Sequence, residues 1–308
     1  MQHRYSVFFK PTRSHPRPAI KALVARYPGL KLDRITDMVY TDSEQPIRRL
    51  YEEAKQAGFA CQFIISTSYG REDALSGELG ILWAGETFSV RFPADAFEFG
   101  TGCPRCGVGA FIVRPHVLSA EAARHKGNFL RGVEGTWRVL IRTPIAEEVI
   151  EATKQPWCMR HPTTHAGAIV KEWMEPVPCA TMPPLSRKST ALWGLSMASV
   201  SVGEPLEVNE PCSVCGRTTW EPDRERHPRL VYPREAIRAA QRHAVLSMYE
   251  PLSCFPSLDP VRRRFNKKGL YGMPLLLFNK KAIEVLVRYT QTEHIETSSS
   301  IQPVFAED

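Results

Sequence analysis

The chain lacks any apolar run near the roughly 20 residues that a membrane-spanning helix requires, which sets membrane-embedded roles aside. Its start, Met1-Gln2-His3-Arg4-Tyr5-Ser6-Val7-Phe8-Phe9-Lys10, holds too short an apolar stretch for a secretory leader. Also missing are a glycine-rich phosphate loop, a nucleophile elbow, a His-Glu-x-x-His helix and a kinase signature. These gaps remove any specific reason to expect catalysis, so the expectation is a cytosolic, non-enzymatic protein. Cysteine is sparse for a disulfide scaffold, with eight copies in 308 residues. Charge of one sign is modest too. The net is +7, and the clearest excess lies in residues 1–60, with 11 basic against 6 acidic side chains. That is a weak nucleic-acid footprint. What remains is ordinary for a soluble globular chain of one large or two average domains, with 43% apolar and 24% charged residues.

Four of the eight cysteines stand in two copies of one pattern, Cys103-Pro-Arg-Cys106-Gly and Cys212-Ser-Val-Cys215-Gly. Two intervening residues let both sulfurs turn toward one point, and the following glycine can take a positive φ that a Cβ resists. Two such knuckles supply four thiolates, the number a tetrahedral structural zinc takes. Zinc suits a closed sulfur site and does not cycle between oxidation states. One Zn2+ held by Cys103, Cys106, Cys212 and Cys215 would clamp segments separated by residues 107–211. A redox dithiol is the competing reading. It wants its first cysteine at a helix N-terminus, whereas Gly-Val-Gly-Ala-Phe-Ile-Val and Gly-Arg-Thr-Thr-Trp after the knuckles read as turn and strand. Buried, unliganded cysteines are the third reading, and they should rarely repeat one pattern. Cys158-Met-Arg-His161, with His165 nearby, offers a further Cys-x-x-His pair for a second metal or a nucleophilic dyad. Pro162 interrupts it, and single residues of these types are more often packing or surface groups.

The first 70 residues alternate between strand and helix patterns. Arg4–Phe9, Lys31–Tyr40 and Phe59–Ser66 read as strands, and Pro18–Tyr27 and Ser43–Ala57 as helices. In the second helix Ile47, Leu50, Tyr51 and Ala54 share one face, and Gly58 follows as a stop. Leu79–Trp83 and Thr87–Phe92, split by Ala84-Gly85-Glu86, suggest a hairpin leading into the first knuckle. The proline-rich stretch Pro176–Pro184 reads as a surface loop or linker. Downstream of each knuckle comes a similar segment, Arg138–Ile150 and Pro274–Leu286, each a strand followed by a helix. The expectation is an α+β protein: an N-terminal α/β module over residues 1–95, then a zinc-ribbon-like domain over 96–308.

Two surfaces suggest partners. Arg262-Arg-Arg-Phe-Asn-Lys-Lys268 packs five cations into seven residues. It suits phosphates, an acidic protein or simply solvent. The six tryptophans have no regular spacing and read mostly as core.

The paired CxxCG copies, together with Gly272-Met-Pro-Leu-Leu-Leu-Phe-Asn-Lys-Lys-Ala-Ile-Glu-Val-Leu286, resemble the double-CXXCG-motif proteins of bacteria. The likeness spans about residues 100–290, and the knuckles are its specific marks. In that family the first knuckle comes early, whereas residues 1–102 precede it here. The resemblance implies that Cys103, Cys106, Cys212 and Cys215 hold the metal. It also implies an immunity protein that neutralises a cognate toxin by stoichiometric binding. A nucleic-acid-binding zinc-ribbon protein is the alternative, drawing on the N-terminal basic excess and the run at 262–268.

Overall fold

The computed structural model describes residues 2–33, 37–83, 87–88, 90–91, 97–98, 103, 111–124, 130–133, 139–186, 188–189, 214–215, 229–248, 252–253, 271–272, 275–290 and 300–307. They form a mixed α/β protein with several sheets. Contacts divide it into two compact units, one containing Met1–Ser68 and the other containing Tyr69–Ser189 and Arg229–Asp308. This division does not coincide with a boundary near residue 95. The stretch after Ser68 supplies a central strand to a sheet of the second unit and so belongs there.

The first unit runs β1 (Gln2–Phe9), α1 (Arg17–Val24), β2 (Met38–Thr41), α2 (Glu44–Gln56) and β3 (Cys61–Ser68). Its antiparallel sheet has the order β2-β1-β3, with Val7 opposite Val39 and Phe63. Alternation along β1 aims Tyr5, Val7 and Phe9 at the core, where they meet Ile20, Leu23 and Val24 of α1 and Ile47, Leu50 and Ala54 of α2. Each helix is amphipathic and buries one stripe. Pro16 and Arg17-Pro18 start α1 where a missing amide hydrogen costs nothing, and Gly58 ends α2's turn at φ +78°. Of the expected strand over 31–40, the described residues that pair with β1 are Met38–Tyr40, and the pairing runs on to Thr41; residues 34–36 lie outside the described residues.

The second unit opens with α3 (Arg71–Ser76), β4 (Leu79–Trp83), β5 (Thr87–Phe88), β6 (Val90–Arg91), β7 (Phe97–Glu98), β8 (Phe111–Ile112), β9 (Val117–Leu118) and α4 (Ala120–Arg124). It continues through β10 (Leu130–Val133), β11 (Val139–Arg142), α5 (Thr143–Thr153), a 3-10 turn at Pro156–Cys158, β12 (Met159–Arg160), β13 (Thr163–Thr164), β14 (Trp173–Pro176) and β15 (Ala180–Thr181). Last come β16 (Leu230–Tyr232), α6 (Arg234–Ala240), β17 (Val245–Met248), β18 (Leu252–Ser253), β19 (Tyr271–Gly272), β20 (Leu275–Asn279), α7 (Lys280–Leu286) and β21 (Ser300–Ala306).

Two larger sheets dominate, ordered β15-β17-β20-β4-β21-β16 and β12-β14-β11-β10-β5. The expected hairpin at 79–92 does not form. β4 pairs with β20 and β21, β5 with β10, and β6 with β9. Strand pattern alone does not choose partners, and apolar Leu79–Trp83 suits the middle of a buried sheet better than an exposed ribbon. Gly80 lets α7 and β21 close over it, since a Cβ there would lie 2.6 Å from Ile301 Cγ2.

The two strand-then-helix segments, β11-α5 and β20-α7, pack together in one core. Val139 and Ile141 of β11, Ile145, Ala146 and Val149 of α5, and Ala282, Ile283 and Leu286 of α7 share it with Val245 and Phe278. Leu140, pointing the other way from β11, joins Leu118 and Trp173 in a second core. The helix starts differ in chemistry. Pro144 opens α5, whereas the Asn279 side chain caps α7 by accepting the Ala282 N–H at 3.0 Å. Glu148 of α5 accepts from Arg288 Nη2 at 2.6 Å and from the Tyr289 hydroxyl, tying the two helices at their rim.

Of the two readings of the proline-rich stretch 176–184, the linker holds rather than the surface loop, although Pro183 and Pro184 at its end are exposed. Its Val177, Cys179 and Met182 amides donate to Cys158, Val245 and Ser247 carbonyls, and Met182 is buried. It carries the chain from the five-stranded sheet into the six-stranded one, so its backbone must find partners inside. No described helix is long and apolar enough to cross a membrane.

Candidate metal centre

The first knuckle sits between two paired strands. β7 and β8 run antiparallel with Phe97 opposite Ile112 and Glu98 opposite Phe111. The connection they close, residues 99–110, contains Cys103 and Cys106. Cys103 is buried at 8% exposure, while Cys215 of the second knuckle is exposed and lies in a turn with Val214. Cys106 and Cys212 lie outside the described residues. Among the described residues no group of three or more His, Cys, Asp or Glu side chains is placed to hold a metal. Four thiols in two CxxC pairs nonetheless form a donor set that suits zinc by softness and number.

The strand leaving the first knuckle is anchored by a buried charge cluster. Glu175, on β14 and 2% exposed, receives Arg160 Nε on one carboxylate oxygen and His116 Nδ1 on the other. The His116 amide also donates to Glu175 Oε2 at 3.3 Å. Arg160 reaches further along the same segment, donating to the Val113 carbonyl at 2.9 Å and the Arg114 carbonyl at 2.6 Å. Burial pulls the Arg160 guanidinium down to about 10, still well above neutral pH, so it stays charged. One carboxylate thus binds two cationic or polar partners, and one guanidinium ties down two successive carbonyls of the 113–114 segment. Breaking such a buried cluster by removing one member costs on the order of 3–5 kcal/mol. Its position just after β8 makes it a fixture for the segment that follows the knuckle.

The other singled-out residues do not gather into a site. Cys158 is fully buried among apolar side chains, and burial, with Cys179 nearby, pushes its thiol up to about 12. His161 directs Nδ1 to the Trp173 carbonyl at 2.8 Å, and His165 is exposed. Fast thiol catalysis at neutral pH needs a lowered pKa and an available base; here the thiol is pushed up and His161 Nδ1 is engaged at the Trp173 carbonyl, so the Cys158–His161 dyad is not supported. Trp173 is wholly buried with the Arg142 guanidinium 4.0 Å from its ring, and Trp157 is 63% exposed. The cationic run at 262–268 lies outside the described residues.

The Glu175 cluster is the feature that sequence reading missed. Its one signal was a lone carboxylate in the apolar strand Trp-Met-Glu-Pro, where an inward position requires a buried partner. Comparison with protein-family models gives no match, and comparisons with curated proteins and with solved structures give none either.

Proposed function

We propose that this chain is a zinc-stabilised cytosolic binding protein, and that it acts as an immunity protein by stoichiometric association with a cognate bacterial toxin. Cys103, Cys106, Cys212 and Cys215 would hold the metal. Zinc in such a site supplies a cross-link and no reaction. The observation that carries the reading is the first knuckle's setting: a short connection closed by the antiparallel β7–β8 ladder, with the Cys103 thiol buried. A two-stranded ribbon presenting a CxxC pair is how zinc ribbons arrange half of their ligands. The buried Glu175 cluster then holds the outgoing segment rigid, as a structural centre needs. The paired core of β11-α5 and β20-α7, each downstream of a knuckle, fits a clamp between two similar halves.

The test couples metal content to protection. Elemental analysis of the purified chain should give bound zinc, and a Cys212→Ser/Cys215→Ser variant should lose it. Co-expression with the product of a neighbouring toxin gene should restore growth, and the two purified proteins should form a complex of fixed stoichiometry. A metal-free chain with reversibly cycling thiols overturns the zinc reading. A zinc-loaded chain that neither protects nor forms a complex overturns the immunity reading alone.

A further inference from the structure

We infer that Cys158 and Cys179 form a disulfide-forming pair, a thiol site separate from the four knuckle cysteines. The backbone brings them together. β12 and β14 pair with Met159 opposite Pro176, and the Val177 amide extends the ladder by donating to the Cys158 carbonyl at 2.7 Å. Cys179 lies two residues beyond that bond; in a regular antiparallel pair the corresponding diagonal Cα atoms lie about 7–8 Å apart. That is just beyond the span a disulfide covers, so closure requires the 3-10 turn or the passage after Val177 to move toward its partner. Both side chains pack into the same core cluster, and the charge of one thiolate disfavours that of the other.

The two thiols differ in access, and that sets the order of events. Cys158 is fully buried, whereas Cys179 is partly exposed and its thiol donates to the Val177 carbonyl at 3.7 Å. The co-reactant is a peroxide. The Cys179 sulfur attacks one peroxide oxygen: an S–O bond forms, the O–O bond breaks, and one water leaves. Cys158 then attacks the resulting sulfenic sulfur: the S–S bond forms, the S–O bond breaks, and a second water leaves. Two thiols have given up two electrons and two protons, which the peroxide takes as it becomes two waters. Burial pushes both thiols upward, Cys158 to about 12. Thiolate is scarce at neutral pH, so oxidation is slow and quickens about tenfold per pH unit. The bond would pin the 3-10 turn after α5 to the passage between the two large sheets, where Cys179 also donates to Val245 at 3.0 Å.

Hydrogen peroxide treatment of the full chain tests this, followed by alkylation of remaining thiols in denaturant and trypsin digestion without reductant. Peptides 155–160 and 172–187 each carry one cysteine. The expected product joins them and weighs about 2 Da less than their sum, reflecting the two hydrogens lost. Oxidation should raise the thermal midpoint by roughly 5 °C, reversibly on reduction. Alanine variants keep the site apolar and read the order. With glutathione and peroxide, Cys158→Ala should trap a mixed disulfide on Cys179, and Cys179→Ala should leave Cys158 reduced. Peptide 155–160 joined equally to peptides bearing Cys61 or Cys254 would overturn the inference. So would recovery of both peptides fully alkylated after exhaustive oxidation.

Discussion

The unit containing Met1–Ser68 and the unit that begins at Tyr69 differ in how far along the chain their strands find partners. In the first, β1 pairs with β2 and β3, and all three lie within 68 residues. In the second, β4 at Leu79–Trp83 takes partners at Leu275–Asn279 and Ser300–Ala306. Local pairing costs little loop-closure entropy and is set by helices whose apolar stripes are visible in sequence. Distant pairing needs something besides pattern to bring its segments together. Under the zinc proposal that something is the clamp between residues 103–106 and 212–215. Metal dependence should therefore be confined to the second unit.

Removing the metal is the sharpest way to break the comparison. Structural zinc contributes on the order of 10 kcal/mol in small sites, comparable to the whole stability of a domain. Hydrogen exchange after chelation, or on Cys212→Ser/Cys215→Ser, should show lost protection in β4, β20 and β21 and unchanged protection in β1 and β3. Equal loss in both units would show that the second does not depend on the clamp in particular. Glu175→Ala should come next, at about 3–4 kcal/mol, because it takes the carboxylate away from the partly exposed Arg160 and from the buried His116. Chemical denaturation followed by tryptophan emission reads it well, since residues 1–68 contain no tryptophan. Leu50→Ala, at a site with no exposed surface in the first core, should cost about 3 kcal/mol. That loss should appear in exchange of residues 1–68 and spare the second unit.

The same contrast explains what could be read in advance. α2 was legible because Ile47, Leu50 and Ala54 recur at helical spacing and all bury. β11 and β20 were legible as strands before helices because an apolar run gives way to Pro144 or Asn279, residues that start helices. The partners of β4 were not legible, since Leu79–Trp83 suits any buried sheet and nothing local selects Leu277 over Phe88. Nor was the inward path of 176–182, because prolines signal irregular backbone without saying whether it lies inside. Of the metal centre, the ligand types and spacing were readable, while the Arg160 and Glu175 fixture depends on residues 15 positions apart meeting across a sheet.

The smallest expected effect probes the first unit alone, through pH. Tyr27 donates its hydroxyl to Glu53 Oε2 at 2.6 Å. Burial, reinforced by that hydrogen bond and the Glu53 charge, pushes the phenol up to about 12 from its ordinary 10.0. The folded state thus holds a proton that the unfolded chain releases near pH 10. The stabilisation is fully present below pH 10 and is lost as pH rises through the folded value. Because the pair is partly solvated, its worth is about 1 kcal/mol or less. Tyr27→Phe should lower stability slightly at pH 8 and flatten the decline between about pH 10 and 12 relative to wild type. The change should register in exchange of α1 and α2, the helices that Tyr27 and Glu53 join. An unchanged alkaline slope would mean that the hydroxyl is as well hydrated in the folded unit as in the unfolded chain, and that apolar packing between the helices holds them without it.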